Sequence, residues 1–157
     1  PTVCVGYIAH HDRLIDGRYN ILLQGIARAN ILEECELTED GYRSAIMKPT
    51  ETSVMELDLE DQRKQLDELL HDEHLQQLSC IRNIRSWFSP DLSTPVAIDL
   101  ACHAVSRDSE QRYASLAEPC VFKRFDCLRK HLLRTSKTLA VAQQMGPCTS
   151  KTGLPLN

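Results

Sequence analysis

The sequence predicts an α+β fold, an antiparallel β-meander followed by a C-terminal helical subdomain. Three observations carry this reading. Residues 1–50 alternate Val, Ile, Leu and Tyr with polar residues around two Asp-Gly dipeptides, Asp16-Gly17 and Asp40-Gly41. The segments between those runs are too short for crossover connections, so the strands pair antiparallel. From residue 56 the apolar spacing turns helical, and the stripe is sharpest between Val121 and Ala142.

The strands are read in order. Thr2–Ala9 is rich in Val and Ile and contains Gly6. Asp16-Gly17 closes a tight turn, because glycine tolerates positive φ. Arg18–Gln24 follows, with Tyr19, Ile21 and Leu23 on one face and Asn20, Leu22 and Gln24 on the other. Gly25 interrupts as a bulge or bend. Ile26–Leu37 resumes as a third strand, Asp40-Gly41 turns again, and Tyr42–Lys48 makes a fourth, ended by Pro49. Residues 1–50 are thus read as a β subdomain, 51–146 as a helical subdomain and 147–157 as a flexible tail.

In the second part, Leu66, Leu69, Leu70, Leu75, Leu78, Ile81, Ile84 and Trp87-Phe88 fall near helical spacing, with Pro90 and Pro95 as punctuation. Thr94 is expected to cap a helix that has Pro95 at its first position, with Val96, Leu100, Ala101 and Ala104 as its buried stripe. Asp108 or Ser109 opens a further helix to about Ala117, and Pro119 breaks it. In the last helix Val121, Phe125, Leu128, Leu132, Thr135, Leu139 and Ala142 alternate steps of four and three. Lys123, Lys130 and Lys137 recur on another face, and Gly146-Pro147 ends the helix.

Composition narrows the function classes. A length of 157 residues suits about one domain, and 42% hydrophobic with 25% charged residues is ordinary globular usage. No apolar run approaches the roughly 20 residues of a membrane helix. The net charge of −4 argues against a general phosphate-binding surface. Charge is unevenly spread: net −2 over residues 1–50, −7 over 51–80 and +5 over 81–157. The acidic middle and basic end are expected to neutralise each other by packing. The seven cysteines (4, 35, 80, 102, 120, 127 and 148) stand at long spacings, and nothing at the opening has the pattern of a secretory signal. They are therefore read as reduced thiols in a cytoplasmic protein.

Motifs for chemistry are sparse. Cys127 and His131 lie one helical turn apart and Cys102-His103 are adjacent, but neither spacing is that of a zinc module, and no metal is expected. His10-His11 beside Asp12 and Asp16 reads as a solvated loop. No G-x-S-x-G is present. Gly146 to Thr152 fails the phosphate-loop spacing, since its second glycine is missing. No catalytic residue and no cofactor are expected.

Val5-Gly6-Tyr7-Ile8, then Asp16 to Arg28 (DGRYNILLQGIAR), then Ile31-Leu32-Glu33-Glu34 resemble in order the "vG", "DGRY", "GxxR" and "i.E" motifs of the Lon protease N-terminal substrate-binding domain. Tyr42-Arg43-Ser44-Ala45 resembles its "Y.A" strand, and Asp99-Leu100, Asp108 to Leu116 and the helix containing Leu132 and Leu133 resemble its helical end. The match is close over 3–48 and looser over 58–142. Gly6, Asp16, Gly17, Arg18, Tyr19, Gly25, Arg28 and Glu33 are its motif residues, read as structural, with Arg28 expected to pair with Glu33 or Glu34.

The resemblance implies a PUA-like incomplete pseudo-barrel. It also implies a non-catalytic role: recognition of unfolded or degron-bearing polypeptides, with those polypeptides or a protease as partners. The family's opening "LPLFPL" strand and "EPRY" helix have no counterpart. The sheet is therefore expected to lack its first strand and to expose an edge through which copies of the chain associate. Two other readings follow: a piece of a full ATP-dependent protease, and a PUA-like RNA-binding module. The polar ending from Thr152 to Asn157 reads as a natural terminus and counts against the first. With 5% aromatic residues for base stacking, the sequence argues against the second.

Overall fold

Alternating apolar residues joined by glycine-closed turns produce the sheet of the first half. The computed structural model describes residues 1–50 and 58–145. Strands β1 (Thr2–Arg13), β2 (Tyr19–Glu34) and β3 (Ala45–Pro49) precede helices α1 (Glu60–Leu70), α2 (Ser79–Trp87), α3 (Thr94–Val105), α4 (Ser109–Ala117) and α5 (Val121–Met145), with a one-turn 3-10 segment at Leu75–Gln77. The sheet is open and antiparallel, in the order β1-β2-β3, so the α+β expectation holds.

The expected four strands are three among the described residues. Arg18–Gln24 and Ile26–Leu37 form one strand, β2, because Gly25 does not break it. Val5 pairs with Ala27 and Gly6 with Gly25, which leaves Ile26 as the extra residue of a bulge. Gly6 makes this close approach workable: a Cβ there would fall 2.4 Å from the Gln24 carbonyl oxygen. A second irregularity between Ile8 and His10 leaves Ala9 unpaired.

Both Asp-Gly turns share one geometry. The Leu14 N–H donates to the Arg18 carbonyl at 2.8 Å and the Gly17 N–H to the Leu14 carbonyl at 3.0 Å. Thr38 and Tyr42, then Gly41 and Thr38, repeat the pattern at 3.1 and 2.9 Å. Each glycine has positive φ, +84° at Gly17 and +78° at Gly41. The glycine therefore follows the turn as a left-handed bulge residue, and the loop is longer than a two-residue turn.

Contacts group the chain into two units. The sheet and Ser106–Val121 form one, so α4 belongs with the strands; Asp58–Val105 and the chain from Phe122 form the other. In the first unit Asp108 caps α4 by accepting the Gln111 N–H at 2.7 Å. Tyr113 of α4 accepts the Thr2 N–H at 3.0 Å with its phenol oxygen, closing the start of the β1 edge.

In the second unit Leu66, Leu70, Leu75, Ile81, Ile84, Ile98, Phe125, Leu128 and Leu132 are buried. The α5 stripe is buried from Val121 to Leu132 and fades beyond, where Leu139 is half-buried and Ala142 exposed; Lys123, Lys130 and Lys137 are exposed. The α3 stripe requires correction. Val96 and Leu100 are exposed and Ala104 is half-buried, whereas Ala97, Ile98, Ala101, Cys102 and Val105 are buried. The α3 cap shifts too: the Ser93 carbonyl accepts the Ala97 N–H, so Thr94 is already helical and Pro95 is second. Proline is tolerated there because first-turn N–H groups have no intrahelical partner.

Polar residues knit this unit together. Arg124, almost wholly buried, donates from Nε to the Asp99 carboxylate at 2.8 Å. Asp72 accepts the His74 and Leu75 N–H groups at 3.0 and 2.9 Å, and the buried Ser136 hydroxyl at 3.0 Å. Arg63 donates to the Leu92 and Ser89 carbonyls, both at 2.6 Å, and stacks on Phe88.

Candidate functional site

The β1–β2 hairpin presents apolar side chains to solvent. Directly paired residues lie on one face of a sheet. Ile8 pairs with Leu23, His11 with Ile21 and Arg13 with Tyr19, so these six side chains share one face, on which Ile8, Tyr19, Ile21 and Leu23 are the apolar members. The His11 and Tyr19 rings meet edge-on with centroids 6.0 Å apart. Ile8, Tyr19, Ile21 and Leu23 are between 52% and 63% exposed. An ordinary half-covered sheet would bury these residues. The opposite face is mainly polar. There Tyr7 donates to Gln24 at 2.6 Å, His10 lies 3.2 Å from Asp12, and Leu22 is the apolar member. A patch of this kind marks an interaction surface.

The hairpin end is fixed by charge. Arg18 donates from its backbone N–H to one Asp16 oxygen at 3.1 Å and from Nε to the other at 2.8 Å. These bonds, the side-chain one first, hold the Asp16 carboxyl below its ordinary pKa.

The eight motif residues fall into four places. Asp16, Gly17, Arg18 and Tyr19 sit together at the hairpin end. Gly6 and Gly25 face each other at the bulge. Arg28 is half-buried opposite Cys4, and its carbonyl accepts the Thr50 N–H at 2.8 Å. Glu33 is exposed opposite Ile46, and the neighbouring Glu34 forms an ion pair with Arg43. Ile8 and Tyr113 lie within segments that resemble the family but are not among the eight motif residues, and the sequence held no signal that the first is exposed or that the second caps an edge.

Other candidates lie apart. Cys102 is buried with its thiol directed at the Arg124 carbonyl, while Cys127, His103 and His131 are exposed. Among the described residues no group of three or more His, Cys, Asp or Glu side chains is placed to hold a metal ion. Gly146 to Thr152 lies outside the described residues. No described helix is long and apolar enough to cross a membrane.

An open sheet with an apolar face turned to solvent defines a binding domain. Its family is specific: the model for the substrate-binding domain of the ATP-dependent protease La (LON) matches residues 1–134, and the chain belongs to that family. The matched region is substrate-binding and not catalytic. No curated protein gives a significant match to the sequence.

Proposed function

We propose that this domain binds unfolded or degron-bearing polypeptides through its β1–β2 hairpin and presents them to an ATP-dependent protease, on the same chain or a partner, in the cytoplasm. It does so without catalysis of its own and without a cofactor. The carrying observation is the solvent-facing set of Ile8, Tyr19, Ile21 and Leu23, which suits an apolar chain segment as ligand. Membership of a protease's substrate-binding family supports the polypeptide as ligand.

RNA is the rival ligand that a PUA-like sheet raises. Phosphate binding releases counterions and weakens steeply with salt, whereas apolar burial does not. Titration of the chain with a reduced, carboxymethylated protein and with single-stranded RNA at two salt concentrations separates them. Saturable, nearly salt-independent binding of the unfolded protein is expected. Binding of RNA alone, with a steep salt slope, overturns the reading.

A further inference from the structure

We propose that the hairpin face selects apolar segments that carry an acidic side chain at one end, and that Arg13 is the residue that pairs with this carboxylate. This inference rests on the polypeptide-binding reading and adds the class of segment that the site prefers.

The face is graded along its length. Ile8 and Leu23 pair at the end far from the turn, His11 and Ile21 in the middle, and Arg13 and Tyr19 beside the turn. From Leu23 to Tyr19 the face runs about 13 Å, the rise of four strand residues. None of its six side chains is acidic. The two acids nearest to Arg13 in sequence are both engaged elsewhere. Asp12 lies on the opposite face, 3.2 Å from His10, and Asp16 accepts from the Arg18 side chain at 2.8 Å. Arg13 is exposed and forms no ion pair among the described residues. An apolar face thus ends in a cation with no counter-charge beside it.

That arrangement discriminates among segments. An apolar segment seated on Ile8, Leu23 and Ile21 displaces water from the turn end as well, and a guanidinium covered without a partner loses hydration. A carboxylate placed there forms a charge-assisted pair with Arg13, and the water-poor surroundings strengthen it. A lysine at the same place sets like charges together, so one residue both favours and rejects. The preferred occupant is therefore an unfolded segment whose Asp or Glu stands about four extended residues from the apolar side chain that meets Ile8 and Leu23.

The test uses fluorescence anisotropy on the full 157-residue chain and on Arg13→Gln, with circular dichroism as a check on folding. The probes are three alternating Val/Ser peptides that carry Glu, Gln or Lys at both ends of the apolar run. Both termini are capped, so the side chains are the only source of charge. Carboxymethylated unfolded protein serves as a parallel ligand. The unaltered chain is expected to bind the Glu peptide about fivefold more tightly than the Gln peptide, with the Lys peptide weakest. The gap between Glu and Gln is expected to narrow at high salt and to close in Arg13→Gln. Equal binding of the Glu and Gln peptides, or binding of neither, with the unfolded protein still bound, overturns the inference and leaves the polypeptide reading standing. A Glu preference that survives in folded Arg13→Gln assigns the pairing to another cation and also overturns it. Failure of the peptides and the unfolded protein alike overturns both.

Discussion

Gly6 and Gly25 face each other across β1 and β2, and they are not equivalent. A Cβ on Gly6 would meet the Gln24 carbonyl oxygen at 2.4 Å, its carbon at 3.0 Å and the Gly25 Cα at 3.2 Å, all backbone atoms. A Cβ on Gly25 would meet the Cys4 thiol at 3.3 Å, a side chain that can give way. Gly6→Ala is therefore expected to destabilise by about 1–3 kcal/mol, as overpacking does, and Gly25→Ala by less. Urea denaturation of both variants checks the order.

Gly17 makes a different case. A Cβ there has nothing within 4 Å, but its φ is +84°. Gly17→Ala is expected to cost about 1 kcal/mol through backbone strain alone, while Gly17→Asn costs less, because Asn tolerates the left-handed region. Thermal melts of the two variants separate strain from packing.

The last helix provides a contrast between core and surface. Leu128 and Leu132 are buried, so truncation of either to Ala is expected to cost about 2–5 kcal/mol. Lys130 is exposed and bound to Asp126 one turn back at 2.5 Å, so Lys130→Ala stays within about 0.5 kcal/mol. Lys130→Glu places like charges at this spacing, and its penalty shrinks at high salt. Chemical denaturation at two ionic strengths measures all four.

Arg124 and Asp99 form a pair with unequal burial, the guanidinium 1% and the carboxylate 30% exposed. Asp99→Ala removes the charge facing a buried cation and is expected to cost about 3 kcal/mol, the lower end for breaking such pairs, because Asp99 is in part solvated. Arg124→Met removes the buried charge itself and is expected to cost less. Equal losses in the two variants would contradict this account of the pair.

Asp16 reports on the hairpin end. Arg18 holds its carboxyl below the ordinary value, so the ionised form is favoured in the folded state. The linked stability is present above the unfolded pKa and is lost as pH falls through the lowered folded value. Carboxylate titration by NMR is expected to return Asp16 toward its ordinary range in Arg18→Leu.

Where burial repeats regularly, the sequence disclosed the structure. The stripe Val121, Phe125, Leu128 and Leu132 is buried as its spacing implied, and Asp108 caps α4. The α3 face was not legible, because TPVAIDLACHAV is apolar nearly all round and its period cannot choose a side. Arg124 lies beside Phe125 with no sequence sign that its charge is buried. At the site, the alternation of Tyr19, Ile21 and Leu23 was visible, but alternation alone does not say which face water keeps. The Asp-Gly turns were legible as turns, though not in their glycine-bulge form, and Gly25 was legible as a bulge or bend, though not as one through which a single strand continues.

The central claim is that the apolar face of the hairpin captures unfolded polypeptide. Its most direct test is the affinity of Ile21→Lys/Leu23→Lys for a carboxymethylated unfolded protein, measured beside the unaltered chain with circular dichroism as a check on folding. Both side chains face solvent, so the fold and melting temperature are expected to hold within the small range of surface substitutions. Binding is expected to fall about tenfold or more, as burial of two apolar side chains is lost and two charges must be desolvated. A folded double variant that binds as tightly as the unaltered chain would contradict the account and place the substrate elsewhere.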